Sequence, residues 1–189
     1  MNLKRSLRHF IFKHFVPVMV GKQSNKDGDI LSNTRISNTT HIEARHLLNI
    51  ENNVYIGHFN FIDASEGLSI GEGCQITNYV SILTHSSHIS IRLYGQEYTK
   101  IKEPIGYVRG MVNLGAYTFI GPHSVIMPNT KIGRGCIVSA FSYVKGEFPD
   151  FSIISGNPAV ITGDTRLLDK PFLDKYPEIA SFYRKWSGL

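Results

Sequence analysis

Two cysteines and one tryptophan in 189 residues, with no apolar run long enough to cross a bilayer, set the first limits on this chain. Cys74 and Cys136 both occupy the same small-residue slot of a repeating pattern, and they are read as buried thiols in a reducing compartment, with no disulfide expected. Charge is also sparse: 19% of residues are charged against 42% hydrophobic, a balance that suits a folded unit and excludes a disordered chain. Basic residues and a short apolar patch open the sequence, but no small-residue cleavage site follows them, so a signal peptide is not expected. No zinc-finger spacing and no aromatic-basic motif for nucleic acid is present, and nucleic acid is not an expected partner. The net charge of +5 favours anionic ligands or surfaces without choosing among them.

What the sequence has instead is a period. Leu114, Ile120, Ile126, Ile132, Val138 and Val144 recur at every sixth position, and Gly115, Gly121 and Gly133 each follow one of these aliphatics. Four places after each aliphatic comes a small residue: Thr118, Ser124, Thr130, Cys136 and Ser142. Six fits neither the 3.6 of a helix nor the 2 of a half-buried strand. It fits short strands wound into a coil, one aliphatic per strand stacking on its counterpart a coil later, with glycine expected where the backbone turns at positive φ.

The same period runs through Ile30, Ile36 and Ile42, then Ile50, Ile56 and Ile62, then Ile70, Ile76 and Ile82. Between these runs it slips by two, and the second slip holds Asp63, Ala64, Ser65, Glu66 and Gly67. After Ile82 the period stops, and residues 86–110 form a long segment with Arg92, Tyr94, Tyr98, Lys100, Tyr107 and Arg109. Such a loop inside a compact domain is usually functional. The period resumes at Val112 or Leu114. Lys145 to Asp150 reads as a turn, and Ile154 and Val160 as a last strand pair.

Three parts are therefore expected: an N-terminal helix and connector over 1–29, a repeat domain over 30–161 with an extruded loop at 86–110, and a helical tail over 162–189. Leu3, Leu7, Phe10, Ile11 and Phe15 lie at helical spacing with Lys4, Arg5, Arg8 and Lys13 between them. That helix either caps the open first coil, as solenoids require, or touches an anionic membrane. Pro171 and Pro177 punctuate the tail, whose short helices are expected to cover the far end.

The hexads, of which IGEGCQI, IGPHSVI and IGRGCIV are good copies, resemble those of the hexapeptide-repeat acyltransferases. The resemblance covers residues 30–161 and implies an all-β solenoid, a left-handed parallel β-helix. Thr84-His85-Ser86-Ser87-His88, followed by a large loop, looks like the active-site histidine segment of galactoside and maltose acetyltransferases. Ile153 to Ile161 resembles the closing segment of the family. Asp63-Ala64-Ser65-Glu66-Gly67-Leu68 is similar to a segment of the polysaccharide-modifying members. The resemblance implies a homotrimer that uses acetyl-CoA, without a metal, to acetylate a hydroxyl of a sugar or glycan in surface polysaccharide biosynthesis. Localisation would be cytoplasmic, with the inner face of the membrane open.

Moving an acetyl group from a thioester to a hydroxyl requires a base, and histidine titrates near working pH. His85 matches the first histidine of the family segment and is the expected base, with Asp63 to hydrogen-bond it and fix its tautomer. His88, Asn78, Arg92 and Tyr94 are candidate acceptor contacts. The resemblance places coenzyme A against Gly121, Ser139 and Ala140 in a groove between subunits. Lys145, together with either Arg166 or the pair Lys131 and Arg134, is the candidate phosphate contact. Two other readings stay open. His58, His85, His88 and His123 supply enough imidazoles for a γ-class carbonic anhydrase-like zinc site, though their spacing does not resemble that family's. A non-catalytic scaffold that kept the repeat is the second.

Overall fold

The computed structural model describes Lys4, Ser6, Leu7, Phe10, Ile11 and residues 16–189. The five early residues are helical and exposed, while the rest of the expected N-terminal helix, including Leu3, Arg5, Arg8, Lys13 and Phe15, lies outside the described residues. From residue 35 onward the chain winds into a β-helix whose short strands form three faces.

The first face stacks Arg35–Ser37, Tyr55–Ile56, Gln75–Ile76, Phe119–Ile120, Ile137–Val138 and Ser152–Gly156 in parallel. The second stacks His41–Glu43, Phe61–Asp63, Ser81–Ile82, Val125–Ile126 and Tyr143–Val144. The third stacks Leu48–Ile50, Leu68–Ile70, Val112–Leu114, Lys131–Ile132 and Glu147–Phe148. The hexad aliphatics are the inward members of these ladders. On the first face Ile36, Ile56, Ile76, Ile120, Val138 and Ile154 stand in register and are buried. Each fully buried aliphatic contributes about 1.5–3 kcal/mol.

The small residues are buried for a second reason. Thr118 Oγ1 donates to the Gly133 carbonyl at 2.9 Å, and Ser124 Oγ donates to that of Ser139 at 3.0 Å. A compact hydroxyl thus satisfies a carbonyl of the neighbouring coil that no strand pairs.

Several expectations are corrected. Gly115, Gly121 and Gly133 are not the positive-φ residues; Tyr117, His123 and Gly135, two places on, are. The three glycines are needed for close approach instead. A Cβ on Gly115 would stand 2.5 Å from the Arg134 amide nitrogen, and one on Gly121 would stand 2.6 Å from that of Ala140. Ile30 does not begin the core: it is exposed and Leu31 is buried in its place. Lys145 to Asp150 is not simply a turn, because Glu147–Phe148 is a strand of the third face. Val160 belongs to the expected strand pair but faces outward.

The ends of the first face are closed by antiparallel strands. Met19–Val20 pairs with Arg35–Ser37 at one end, and Ala159–Asp164 pairs with Ser152–Gly156 at the other. This blunts edges that would otherwise pair with another chain. The tail forms helices Thr165–Lys175 and Ala180–Ser187, with Pro171 inside the first rather than at its boundary. The second of these packs on a side of the coil through Trp186. Trp186 packs on Tyr117 at 4.8 Å and on Phe151 at 6.0 Å, along the corner between the third and first faces.

Candidate active site

The corner between the second and third faces is where the repeat is irregular. The step from one coil to the next is 20 residues at Ile62↔Ile82, against 18 at Ile126↔Val144. The added residues sit in the Asp63 to Gly67 corner. One coil on, at the same corner, the chain leaves the stack at Thr84 and returns at Val112. The slip and the loop are therefore neighbours in space, although 20 residues apart in sequence.

Asp63 ends the strand Phe61–Asp63 with its side chain inward, at 1% exposure. Its Oδ1 accepts from the Ser65 amide at 2.8 Å and from Ser65 Oγ at 2.6 Å. Its Oδ2 accepts from the Thr84 amide at 2.9 Å and from Thr84 Oγ1 at 2.7 Å. Burial alone would raise this carboxyl, but the hydrogen bonds from Ser65 and Thr84 outweigh it and hold the pKa at about 2. The buried group is thus a carboxylate, and His85 Nδ1 lies 2.8 Å from Oδ2.

The Ser65 hydroxyl is 3.0 Å from the same ring nitrogen. His85 is about one-third exposed. Its imidazole stacks on Tyr107, with centroids 5.8 Å apart and planes 10° apart. The base of the loop makes this contact, because His85–Ser86 pairs antiparallel with Val108–Arg109. The Arg109 guanidinium covers the other part of the Tyr107 ring at 4.8 Å, and lies 3.6 Å from Glu66 and 3.3 Å from Glu103. The arrangement is a half-open imidazole with one nitrogen held from inside and a wall of Tyr107, Arg109 and Glu66 beside it.

The structure thus brings together Asp63 and His85 as expected, and adds Ser65 and Thr84, which had no assigned role. Their signal was present: Thr84 directly precedes His85, and Ser65 lies two places after Asp63 in the same slip. Among the acceptor candidates, His88 pairs with Ser86 through Nδ1 at 2.8 Å, and the Arg92 guanidinium donates to the His88 carbonyl. The Tyr94 hydroxyl accepts from the Ile105 amide at 3.0 Å, so it braces the loop. Asn78 is not at this corner. It turns the chain between the first and second faces, where its Oδ1 accepts from the His58 amide at 2.7 Å.

The cofactor candidates are spread over all three corners of one chain. Gly121, Ser139 and Ala140 lie between the first and second faces, where Ser139 Oγ meets Ser155 Oγ at 2.5 Å. Lys145 lies exposed between the second and third. Arg166 opens the first tail helix, and its guanidinium is taken up by Asp164, with Nε 3.0 Å from Oδ1. Lys131 and Arg134 line a groove of about 430 Å³ on the third face, with Arg134 paired to Asp150 at 3.0 Å. The four histidines of the zinc reading are divided between two corners. His58 bonds Ser37 Oγ at 2.6 Å, and His123 stacks between Tyr79 and Phe141, away from His85 and His88. Among the described residues no group of three or more His, Cys, Asp or Glu is placed to hold a metal.

Comparison with known proteins gives the following. Residues 111–146 match the family described as bacterial transferase hexapeptide (six repeats). A Mycobacterium tuberculosis protein described as a probable acetyltransferase is 30% identical over 129 residues, 60% of this chain and 43% of its own length, so the chain spans under half of that relative. An Escherichia coli protein, WbbJ, whose name assigns it to lipopolysaccharide biosynthesis O-acetyl transfer, is 26% identical over 131 residues, 67% of each chain. Among solved structures, AntD, an N-acyltransferase from Bacillus cereus in complex with dTDP and 3-hydroxybutyryl-CoA, aligns with a TM-score of 0.58 at 19% identity, covering 92% of this chain and 96% of that one. That likeness is one of fold.

Proposed function

We propose that this chain, which carries the bacterial transferase hexapeptide repeat over residues 111–146, is an acetyl-CoA-dependent acyltransferase that acetylates a hydroxyl of a sugar. The observation that carries the proposal is His85 Nδ1 at 2.8 Å from the buried carboxylate of Asp63, with no hydrogen-bond partner on Nε2 among the described residues. Asp63 holds the proton on Nδ1, which leaves the Nε2 lone pair at the half-open side to take a proton from the acceptor. The acceptor oxygen then attacks the thioester carbonyl, the tetrahedral intermediate expels the coenzyme A thiolate, and His85 returns its proton to that sulfur. Relatives described as acetyltransferases support the reaction class, and the 3-hydroxybutyryl-CoA ligand of AntD supports a coenzyme A thioester as the donor.

The acceptor follows from the wall beside His85. Arg109 has an aromatic ring beneath it, as a sugar subsite often does, but Glu66 and Glu103 already balance its charge. A neutral sugar hydroxyl suits that surface better than a carboxylate-bearing one. The name of WbbJ supports a place in polysaccharide synthesis.

Gly121, Ser139 and Ala140 stand across the whole second face from His85, so one chain does not bring the proposed thioester wall to its base. In the proposed homotrimer that wall comes from a neighbouring copy. We place the enzyme in the cytoplasm at the inner membrane face, because residues 1–50 carry eight Lys and Arg against three Asp and Glu, which is the whole net charge of +5.

The test is thioester consumption with acetyl-CoA and a panel of neutral, acidic and amino sugars, read by a mass shift on the acceptor. His85→Ala is expected to lose at least 100-fold in kcat. Near-normal turnover by that variant would remove His85 as the base.

A further inference from the structure

We propose that Ser65 is a positioning residue for the base: its hydroxyl clamps the Asp63 carboxylate and shares the His85 Nδ1–H, so that two acceptors fix which ring nitrogen faces the acceptor sugar. The proposal rests on His85 being the general base.

The argument is an accounting of protons. Ser65 Oγ has one proton and three polar neighbours: Asp63 Oδ1 at 2.6 Å, His85 Nδ1 at 3.0 Å and Thr84 Oγ1 at 3.4 Å. An ionised carboxylate only accepts, so the shortest contact takes the Ser65 proton. Thr84 spends its own proton on Asp63 Oδ2 at 2.7 Å, and its oxygen accepts from the Glu66 amide at 3.1 Å. Toward the imidazole, Ser65 Oγ is therefore left only as an acceptor. A neutral histidine protonated on Nε2 would set the Nδ1 lone pair against Asp63 Oδ2 at 2.8 Å and against an oxygen whose proton is committed elsewhere. Turning the Ser65 hydroxyl toward that lone pair would relieve only one clash, and it would strip Oδ1 of its hydroxyl donor. One assignment satisfies every partner: the proton sits on Nδ1, shared between Asp63 and Ser65.

A plain turn residue would not need this hydroxyl. The Asp63 corner is closed by the backbone, since the Ser65 amide donates to Oδ1 at 2.8 Å and would do so with any side chain. The hydroxyl adds something the turn does not use. Tyr107, stacked at 10° to the imidazole, limits tilt of the ring, while Ser65 and Asp63 limit rotation within its plane.

The test compares the parent, Ser65→Ala and Ser65→Thr as full-length proteins, with His85→Ala as the reference for loss of the base. Ser65→Ala is expected to lower kcat roughly three- to tenfold, the scale of one hydrogen bond, with KM for acetyl-CoA unchanged. The ¹⁵N spectrum of histidine-labelled protein is expected to gain an Nε2–H tautomer for His85. Ser65→Thr keeps the hydroxyl and is expected to restore both readouts. Should Ser65→Ala not fold, Ser65→Cys, similar in shape with a weak acceptor, carries the same comparison. A Ser65→Ala protein with kcat within twofold of the parent and an unchanged ¹⁵N spectrum overturns the proposal. Failure of the base assignment is distinguishable: it shows as turnover by His85→Ala, which a failed role for Ser65 alone would not produce.

Discussion

Asp63→Asn puts the logic of the site at risk most directly. The parent carboxylate accepts from two backbone amides, two hydroxyls and one imidazole, all between 2.6 and 2.9 Å. Asparagine is nearly the same shape but offers one acceptor oxygen and one NH₂ donor. The hydroxyls of Ser65 and Thr84 can rotate to meet that donor, whereas their amides cannot. Whichever way the new side chain turns, its NH₂ faces a fixed N–H, and at 1% exposure no bulk water relieves it. Losing charge-assisted bonds costs about 1.5–3 kcal/mol, and a buried donor left unpaired adds about 1–3 kcal/mol. Relief from burying a charge offsets part of this, so a net loss of about 2–4 kcal/mol is expected. Urea unfolding reads it as a lower midpoint at unchanged slope. Turnover should fall by about 10²–10⁴, since the histidine loses its orienting anion. Asp150→Asn is the control. That carboxylate pairs with Arg134 at 47% exposure, and the change should cost about 0–1 kcal/mol. A loss below about 0.5 kcal/mol for Asp63→Asn, with kcat within tenfold, would refute the reasoning.

Because Asp63 titrates lower folded than its ordinary 3.8, at about 2, its stabilisation is present above pH 3.8 and is lost as pH falls through 2. The free energy of unfolding should therefore drop across that window by about 2 kcal/mol more in the parent than in Asp63→Asn. Gly115→Ala places a Cβ 2.5 Å from the backbone of the next coil, and should destabilise by about 2 kcal/mol or more in the same assay. Burial pushes the Cys74 thiol up to about 12 and the Cys136 thiol to about 11, so alkylation at pH 8 should be negligible until the protein is unfolded, when both react. Trp186→Ala should release the tail at a cost of about 3 kcal/mol, read as faster proteolysis after Lys175 or Lys185, because the indole packs on both Tyr117 and Phe151.

The core was legible because a ladder tests one residue against the next. Ile56, Ile76, Ile120 and Val138 must share a register or none of them is buried, and a sixfold recurrence is the one pattern that meets this. The glycines were misread because two demands fall within three residues of each corner. Gly115 serves the close approach of coils, and Tyr117 two places later carries the positive φ that glycine usually supplies. Aromatics tolerate that strain here because their rings stack along the corner, as Phe59, Tyr79, His123 and Phe141 do at 4.8–5.3 Å. Asp63 and His85 could be paired from sequence because one coil separates them. The surroundings of Asn78 and Arg166 were not legible, because a period says which coil a residue occupies, and their partners, His58 and Asp164, are matters of side-chain packing.

The regular corners also explain why the chemistry sits where it does. At Ile126 to Ile132 the residue after the inward aliphatic is Met127, and its amide donates to the Val144 carbonyl of the next coil. The position there that corresponds to Thr84 is Pro128, which has no amide N–H to offer a buried carboxylate. At Thr84 the chain leaves the stack for the loop, and its amide points back to the preceding coil: Ala64, at the same register one coil earlier, donates to the Glu43 carbonyl at 3.1 Å, whereas Thr84 donates to the Asp63 carboxylate at 2.9 Å. The longer Asp63 corner supplies that side chain, together with a second amide from Ser65. A slack corner alone is not enough. Glu43 holds the Asp63 register one coil earlier, at an eight-residue spacing of its own, yet it is exposed and gathers no such donors among the described residues. The carboxylate is buried only where a slack corner on one coil faces an exit on the next. His85 is the first residue past that exit, and so it inherits the anion that the exit made room for.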